Sequence, residues 1–203
     1  MISNPLENEL WNEYPLILGM DEAGRGPIAG PLVVAGCIFE TGYLHPEIDD
    51  SKKLSEKKRE ALFHEIQEEA LWFEILVISE KEIDQKNIYR ATQDAMVQIA
   101  KDAPCDYCLS DAMKLPSYQG EYEAIVKGDS KSISIAAASI LAKVTRDHIM
   151  VELDQKYPEY GFKKHKGYPT KAHLEALKTY GVLPCHRRSY GPVQKELEIK
   201  LFG

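Results

Sequence analysis

The chain has no apolar run long enough to cross a bilayer. Its longest runs, such as Leu71 to Ile78, are broken by a charge and fall far short of the ~20 residues that a membrane-spanning helix needs. Met1 to Tyr14 is polar and acidic, without the basic and apolar stretches of a secretory signal. The expectation is a soluble cytoplasmic protein with no membrane partner. Cysteine is scarce, with four among 203 residues, so a disulfide scaffold is excluded. Cys105 and Cys108 form a C-x-x-C, the pattern of half a zinc site or a redox pair, but no second pair at metal-ligand spacing accompanies it. The segment around Cys108 also reads as a strand, in which residues three apart face opposite ways. Buried free thiols in a reducing compartment are therefore expected. Gly/Ser linkers, internal repeats and low-complexity segments are absent as well. Their absence leaves one ordinary domain, residues 1–160, with a small part, 161–203, packed on it.

What is present is a globular composition, 44% apolar and 28% charged, on a chain long enough to bury a core without staples. The net charge of −7 argues against a polyanionic partner only if charge is spread evenly, and it is not. Between Gly161 and Pro192 stand Lys163, Lys164, Lys166, Lys171, Lys178, Arg187 and Arg188 against the single acid Glu175. They are interleaved with His165, Tyr168, Tyr180 and Tyr190, a mixture suited to phosphates and sugars. A second basic group, Lys52, Lys53, Lys57, Lys58 and Arg59, follows Asp50; its 57–59 part reads as a solvated helix face. The acids gather in the N-terminal segment and between Glu65 and Asp84.

Periodicity predicts strands at Leu16–Met20, Pro31–Phe39, Leu71–Ser79 and Tyr107–Asp111, with a fifth at Glu123–Val126. It predicts helices at 55–69 with Ser55 as N-cap, at 88–101, from Ile133 to about Tyr157, from Thr170 to Tyr180 stopped by Gly181, and at 193–201. Ala136, Ala137, Ala138 and Ser139 would let the long helix approach a sheet closely. Strands first, with helices between and after them, make an α/β layered fold.

Asp21 and Glu22 end the first strand and Asp111 ends the fourth, at a sheet rim where open α/β folds bind ligands. Asp129 sits in Lys127-Gly128-Asp129-Ser130-Lys131, just before the long helix. If strands one and four are neighbours, the four acids converge. Such a cluster of hard oxygen ligands suits Mg²⁺ or Mn²⁺, and two such ions can cleave a phosphodiester. Taken singly, each acid could equally be a surface residue or a helix cap, and Asp129 a helix N-terminal charge. Asp147 lies ~21 Å along the long helix from Ile133, and reads as the partner of an arginine.

Five blocks now resemble one family. They are Met20-Asp21-Glu22-Ala23-Gly24-Arg25-Gly26-Pro27 with Ala29-Gly30-Pro31, then Asp50-Ser51-Lys52-Lys53-Leu54, then Lys127 to Lys131 running into Ile135 to Asp147, then His165 to Thr170, and His186-Arg187-Arg188-Ser189. In this order they resemble ribonuclease HII. The resemblance implies a ribonuclease H-like fold, with a mixed five-stranded sheet flanked by helices and a C-terminal helical extension. It implies an endonuclease that hydrolyses the RNA strand of RNA–DNA hybrids, incises at single ribonucleotides in duplex DNA, and leaves 3′-hydroxyl and 5′-phosphate ends. By the same resemblance Asp21, Glu22, Asp111 and Asp129 are the catalytic acids and hold two Mn²⁺ or Mg²⁺ ions. Gly24, Arg25 and Gly26 would read the 2′-hydroxyl, with Tyr168 packed on the sugar. Lys52, Lys53, Asn87, Ser130, Lys131 and Arg188 are further candidates for substrate contact, and a monomer is expected. One departure stands at the third acid, where the family often has Asp-Gly-Asn and this chain reads Asp111-Ala112-Met113; the local turn is what it puts in doubt. Two rivals stay open: a resolvase- or transposase-like DNA nuclease of the same fold, and a non-catalytic hybrid-binding protein.

Overall fold

Two strands carry the centre of the sheet, and their sequences show why. Strand β1 (Ile17–Ala23) buries its first five residues and β2 (Leu32–Ile38) buries all seven. Neither alternates apolar with polar, as expected where both faces of a strand are covered. The computed structural model describes residues 2, 5–49 and 51–202; Asp50, at the head of the second motif block, lies outside the described residues. The other elements, in chain order, are α1 (Glu7–Leu10), α2 (Glu56–Glu69), β3 (Trp72–Ile78), α3 (Glu80–Lys86), α4 (Ile88–Asp102), β4 (Tyr107–Asp111), β5 (Tyr122–Ile125), α5 (Ile133–Lys156), α6 (Phe162–His165), α7 (Lys171–Tyr180) and α8 (Gly191–Phe202). The five-stranded sheet has the order β3-β2-β1-β4-β5. β1 is antiparallel to β2 and parallel to β4, and β4 is parallel to β5, so the sheet is mixed. Ser55 and Thr170 cap α2 and α7, accepting from Lys58 N and His173 N at 3.3 Å each.

Chain contacts gather into two compact units. The first comprises Met1–Ala23, Val33–Leu76 and Thr92–Val144; the second comprises Gly24–Leu32, Val77–Ala91 and Thr145–Gly203. In the first, Trp11, Ile17, Leu109, Ile125 and Ile135 form one core cluster. Ala136, Ala137 and Ala138 of α5 are fully buried. Gly19 lets α5 press on β1, because a Cβ there would lie 2.3 Å from the backbone of Ser134 and Ile135. The start of α5 is capped by a residue that periodicity does not find. Glu7, itself fully buried, accepts from Ser132 Oγ at 2.5 Å, Ile133 N at 3.3 Å and Ser134 N at 2.9 Å. A carboxylate here satisfies otherwise orphaned amides and meets the positive end of the helix dipole.

At the end of β4 the chain turns through Ala112 with φ at +53°, in the left-handed region that favours glycine. The Ala112 N–H donates to Ile125 O at 3.0 Å, which ties the turn to β5. The cysteine expectation needs correcting at the other end of this strand. Cys105 and Cys108 do not face opposite ways: their sulfurs are 3.5 Å apart. Strand alternation does not reach Cys105, because β4 begins only at Tyr107.

The second unit holds the expected C-terminal part together with two earlier segments. One cluster joins Ala29, Met150, Tyr160, Phe162, Ala176 and Cys185; another joins Ile28, Leu177 and Val193. Beside them sit three histidines. His165 stacks on His173 with ring centroids 4.4 Å apart, and His173 Nε2 lies 3.1 Å from His186 Nε2. Leu183 N–H donates to His186 Nδ1, so the His186 proton is on Nε2 and points at His173. His173 Nδ1 then donates to Tyr168 O at 2.8 Å. Both rings are thus neutral, and burial pulls His173 and His186 down to about 4.

Three outcomes follow from this packing. Glu7→Ala should lower the unfolding free energy in urea by about 2–3 kcal/mol, since it strips a carboxylate from buried donors, and Glu7→Gln should recover part of the loss. Ala112→Gly should raise stability by roughly 0.5 kcal/mol, the ~1–2 kcal/mol left-handed penalty less the greater chain entropy of glycine. The histidine pair binds protons more weakly folded than unfolded, so its contribution is complete above about pH 6.5 and is lost as pH falls toward about 4. Urea midpoints measured across that window should fall more steeply for the wild type than for His186→Asn.

Candidate active site

Parallel pairing of β1 with β4 runs from Ile17 opposite Tyr107 to Met20 opposite Ser110. The next residue on each strand is an aspartate, so the register itself brings Asp21 beside Asp111. β5 follows β4 in parallel, with Ile125 opposite Asp111. Beyond it the chain turns left-handed at Lys127 (φ 57°) into a short 3₁₀ turn, Gly128–Ser130, which carries Asp129. Gly128 N donates to Asp111 Oδ1 at 2.8 Å and so fixes the turn against the strand end. In this way carboxylate oxygens of Asp21, Asp111 and Asp129 come within 4.8 Å of one another.

Asp21 and Asp129 are buried and Asp111 is half-buried. Burial pushes the Asp21 carboxyl well above the ordinary range, and the charges of Glu22 and Asp111 push it further. The Ser139 hydroxyl and the Glu22 N–H, 2.7 Å from Asp21 Oδ1, act the other way. Ser139 is in turn 2.9 Å from the Ser51 hydroxyl, which links α5 and the 51–54 turn to the site. Glu22 adjoins the three-acid cluster through its charge on Asp21, and its Oε2 is withdrawn from solvent. Lys52 Nζ stands 3.3 Å from Asp129 Oδ2. Three carboxylates this close repel unless a cation lies among them. The donor set, all hard oxygen, fits a divalent ion of the Mg²⁺ or Mn²⁺ type.

The remaining candidates have plainer surroundings. Lys53 pairs with Asp49 at 3.2 Å. Asn87, at φ 65°, uses its side chain to accept from Arg90 N at 3.0 Å, capping the start of α4. Ser130 Oγ donates to Lys127 O at 2.9 Å, and Lys131 is exposed. Arg188 exposes its side chain while its backbone N–H is held by Asp84 at 2.8 Å.

Gly24, Arg25 and Gly26 lie in the second unit, and there two residues outside the candidate set shape them. Arg187, with 0% of its surface exposed, donates to Gly24 O at 2.6 Å, Arg25 O at 3.2 Å and Gly30 O at 3.0 Å. Arg146, 2% exposed, donates to Pro31 O at 3.0 Å, Ala29 O at 3.2 Å and Lys166 O at 2.9 Å. Burial, and then Arg187 close by, pull Arg146 down to about 10, while Tyr168 and the buried Asp147 favour its charge. Gly24, at φ +101°, has no room for a side chain, since a Cβ would lie 2.1 Å from Arg146 Nε. Tyr168 is half exposed, and its Cε1 would lie 3.2 Å from a Cβ on Gly26. Arg187 therefore leaves the basic surface counted from the sequence, because its charge is spent inward. The signal for it was the His186-Arg187-Arg188-Ser189 block, but sequence does not say which arginine turns in.

Comparison with known proteins agrees with the geometry. The family model described as Ribonuclease HII matches residues 18–193. A ribonuclease HII of Desulfitobacterium hafniense is 52% identical over 197 residues, 95% of this chain and 75% of that one. One from Francisella tularensis is 55% identical over 181 residues, 88% of this chain and 97% of that one. The crystal structure of ribonuclease H2 from Pyrococcus horikoshii superposes with a TM-score of 0.80 at 28% identity, over 93% of this chain and all of that one. With two acids brought together by strand register, a third by the turn after β5, and the match running through every motif block, the chain belongs to the ribonuclease HII family of endonucleases, which hydrolyse the RNA strand of RNA–DNA hybrids.

Proposed function

We propose that Asp21, Glu22, Asp111 and Asp129 are the catalytic acids of this endonuclease and hold two divalent ions, Mg²⁺ or Mn²⁺. The observation that carries this reading is the approach of three carboxylates to within 4.8 Å of one another at adjacent strand ends. When bound, the ions supply Lewis acidity, which activates water and neutralises charge on the scissile phosphodiester. The protein's part is to hold its acids ionised and fixed. Gly128 N–H orients Asp111, and the Ser139 hydroxyl and Glu22 N–H favour the charged form of Asp21. Lys52 offsets the charge of Asp129 and, with Lys53, Ser130, Lys131, Asn87 and Arg188, contacts backbone phosphates.

Substrate choice belongs to Gly24, Arg25, Gly26 and Tyr168. Glycine leaves backbone groups open to a sugar, and the 2′-hydroxyl is what separates RNA from DNA. Tyr168 offers an apolar ring to the ribose and a hydroxyl to its rim. Arg146 and Arg187 act on this loop only through its carbonyls and are positioning residues. Incision falls on the 5′ side of a ribonucleotide in duplex DNA, leaving 3′-hydroxyl and 5′-phosphate ends. Residues 1–160 form the catalytic part and 161–203 the helical extension that grips substrate. The enzyme acts as a cytoplasmic monomer. Among the described residues, no helix is long and apolar enough to cross a membrane.

A duplex carrying one embedded ribonucleotide tests the whole reading. With Mg²⁺ or Mn²⁺ the protein should cut it, and chelator should stop the cutting; an all-DNA duplex should stay intact. Asp21→Asn should reduce cleavage by more than about 10³-fold, the loss of several kcal/mol of charge stabilisation, while hybrid affinity changes little. Cleavage of the all-DNA duplex would move the enzyme to the resolvase-like class, and equal loss of binding would end the division between cutting acids and reading loop.

A further inference from the structure

Hydrolysis of a phosphodiester leaves the one C-x-x-C of this chain without a task. Cys105 lies on the turn before β4, with its backbone N–H on Ala103 O at 2.9 Å, and Cys108 lies inside β4, held by Glu121 O at 3.0 Å. Their sulfurs are 3.5 Å apart, and the Tyr118 hydroxyl lies 3.5 Å from Cys108 Sγ and 3.9 Å from Cys105 Sγ. The two thiols differ in access: Cys105 is partly exposed, whereas Cys108 is fully buried. From this arrangement we propose that Cys105 and Cys108 are an oxidation site for hydroperoxides, in which Cys105 reacts first and Cys108 resolves it into an intramolecular disulfide.

The chemistry balances in two steps. The Cys105 thiolate attacks one peroxide oxygen, the O–O bond breaks, and hydroxide (or alkoxide) leaves with the electron pair, giving a sulfenic acid. The Cys108 sulfur then attacks the Cys105 sulfur, the S–O bond breaks, and water departs with the Cys108 proton. The net change is two thiols and one hydroperoxide to one disulfide, water, and a second water or an alcohol. Closure needs the sulfurs to move from 3.5 Å to about 2.05 Å. A side-chain rotation of Cys105 can supply that movement, because its backbone sits on a turn and not in the sheet ladder.

Electrostatics supports the same order of events. The hydrogen bond from Cys108, aided by Tyr118, pulls the Cys105 thiol down to about 7 against its partial burial. Cys108 is pushed up, first by its hydrogen bond to Cys105 and then by burial, and so keeps its proton until it resolves. The other two cysteines are poor competitors. Cys37 and Cys185 are buried, and burial pushes the first far up and the second to about 12. The pair stands at the start of β4 and Asp111 at its end, so the site is separate from the catalytic acids.

The test treats the reduced, full-length protein with hydrogen peroxide, blocks remaining thiols with iodoacetamide under denaturing conditions, and reads the products by mass spectrometry. The wild type should lose two hydrogens in the peptide holding Cys105 and Cys108, regain them with a thiol reductant, and do so more than about tenfold faster than Cys37 or Cys185 react. Cys108→Ser should stop at a Cys105 sulfenic acid that dimedone captures, and Cys105→Ser should leave Cys108 a thiol with hybrid cleavage unchanged. The proposal is overturned if both thiols stay open to alkylation, if Cys105 runs on to the sulfinic acid in the wild type, or if Cys37 or Cys185 is oxidised first.

Discussion

Everything at the candidate site depends on one register, that of β1 on β4. The parallel pairing runs to Met20 opposite Ser110, and the next residue on each strand is an aspartate, so the two carboxylates are presented together. Shifting either strand by one residue would turn its aspartate to the other face. The apolar residues before the acids hold that register: Ile17, Leu18 and Met20 on one strand, Cys108 and Leu109 on the other, all fully buried. Folding energy is thereby used to hold together like charges that would otherwise separate. Burial first, and then the charges of Glu22 and Asp111, raise the pKa of Asp21.

A second constraint works through backbone carbonyls. The loop from Gly24 to Pro31 packs Ile28 and Ala29 into the core, and its backbone is shaped by two buried arginines that take up its carbonyl oxygens. A guanidinium suits this because its donors are fixed in a plane and it does not lose its proton under ordinary conditions. Burying such a charge is costly unless its hydrogen bonds are made. The loop conformation and the arginine positions consequently hold each other in place. Gly24 completes the arrangement, since its missing side chain leaves the space that Arg146 fills.

Much of this was legible in the sequence, and the failures have physical reasons. All five strands and the five longest helices were foreseen to within a few residues, because each has a strong periodic or capping signal. The short helices α1, α3 and α6 were not, since four to seven residues give too little periodicity to read. Glu7 was missed as the cap of α5 because its partners are more than a hundred residues away, and no local pattern marks a cap supplied from a distance. The three acids of the cluster were legible from their motif blocks and strand signals, although only Asp111 ends its element: Asp21 lies inside β1, which runs on to Ala23, and Asp129 lies within the turn before α5. Ser139 was seen only as a small residue of a close-packed helix, and its hydroxyl bond to Asp21 depends on how that helix lies on the sheet.

The charge balance shows why composition misleads for such a protein. A net charge of −7 does not oppose a polyanionic substrate if part of the negative charge serves to hold cations and part of the positive charge is arranged on the surface. The clustered carboxylates of the candidate site suit the first purpose, and Lys163, Lys164, Lys171, Lys178 and Arg188, all exposed, are of the second kind. Arg146 and Arg187 belong to neither, since their charge is consumed by loop carbonyls inside the protein. Counting charges treats all of these alike. What decides the chemistry is whether each charge faces solvent, another charge or the chain's own backbone, and that follows from the fold.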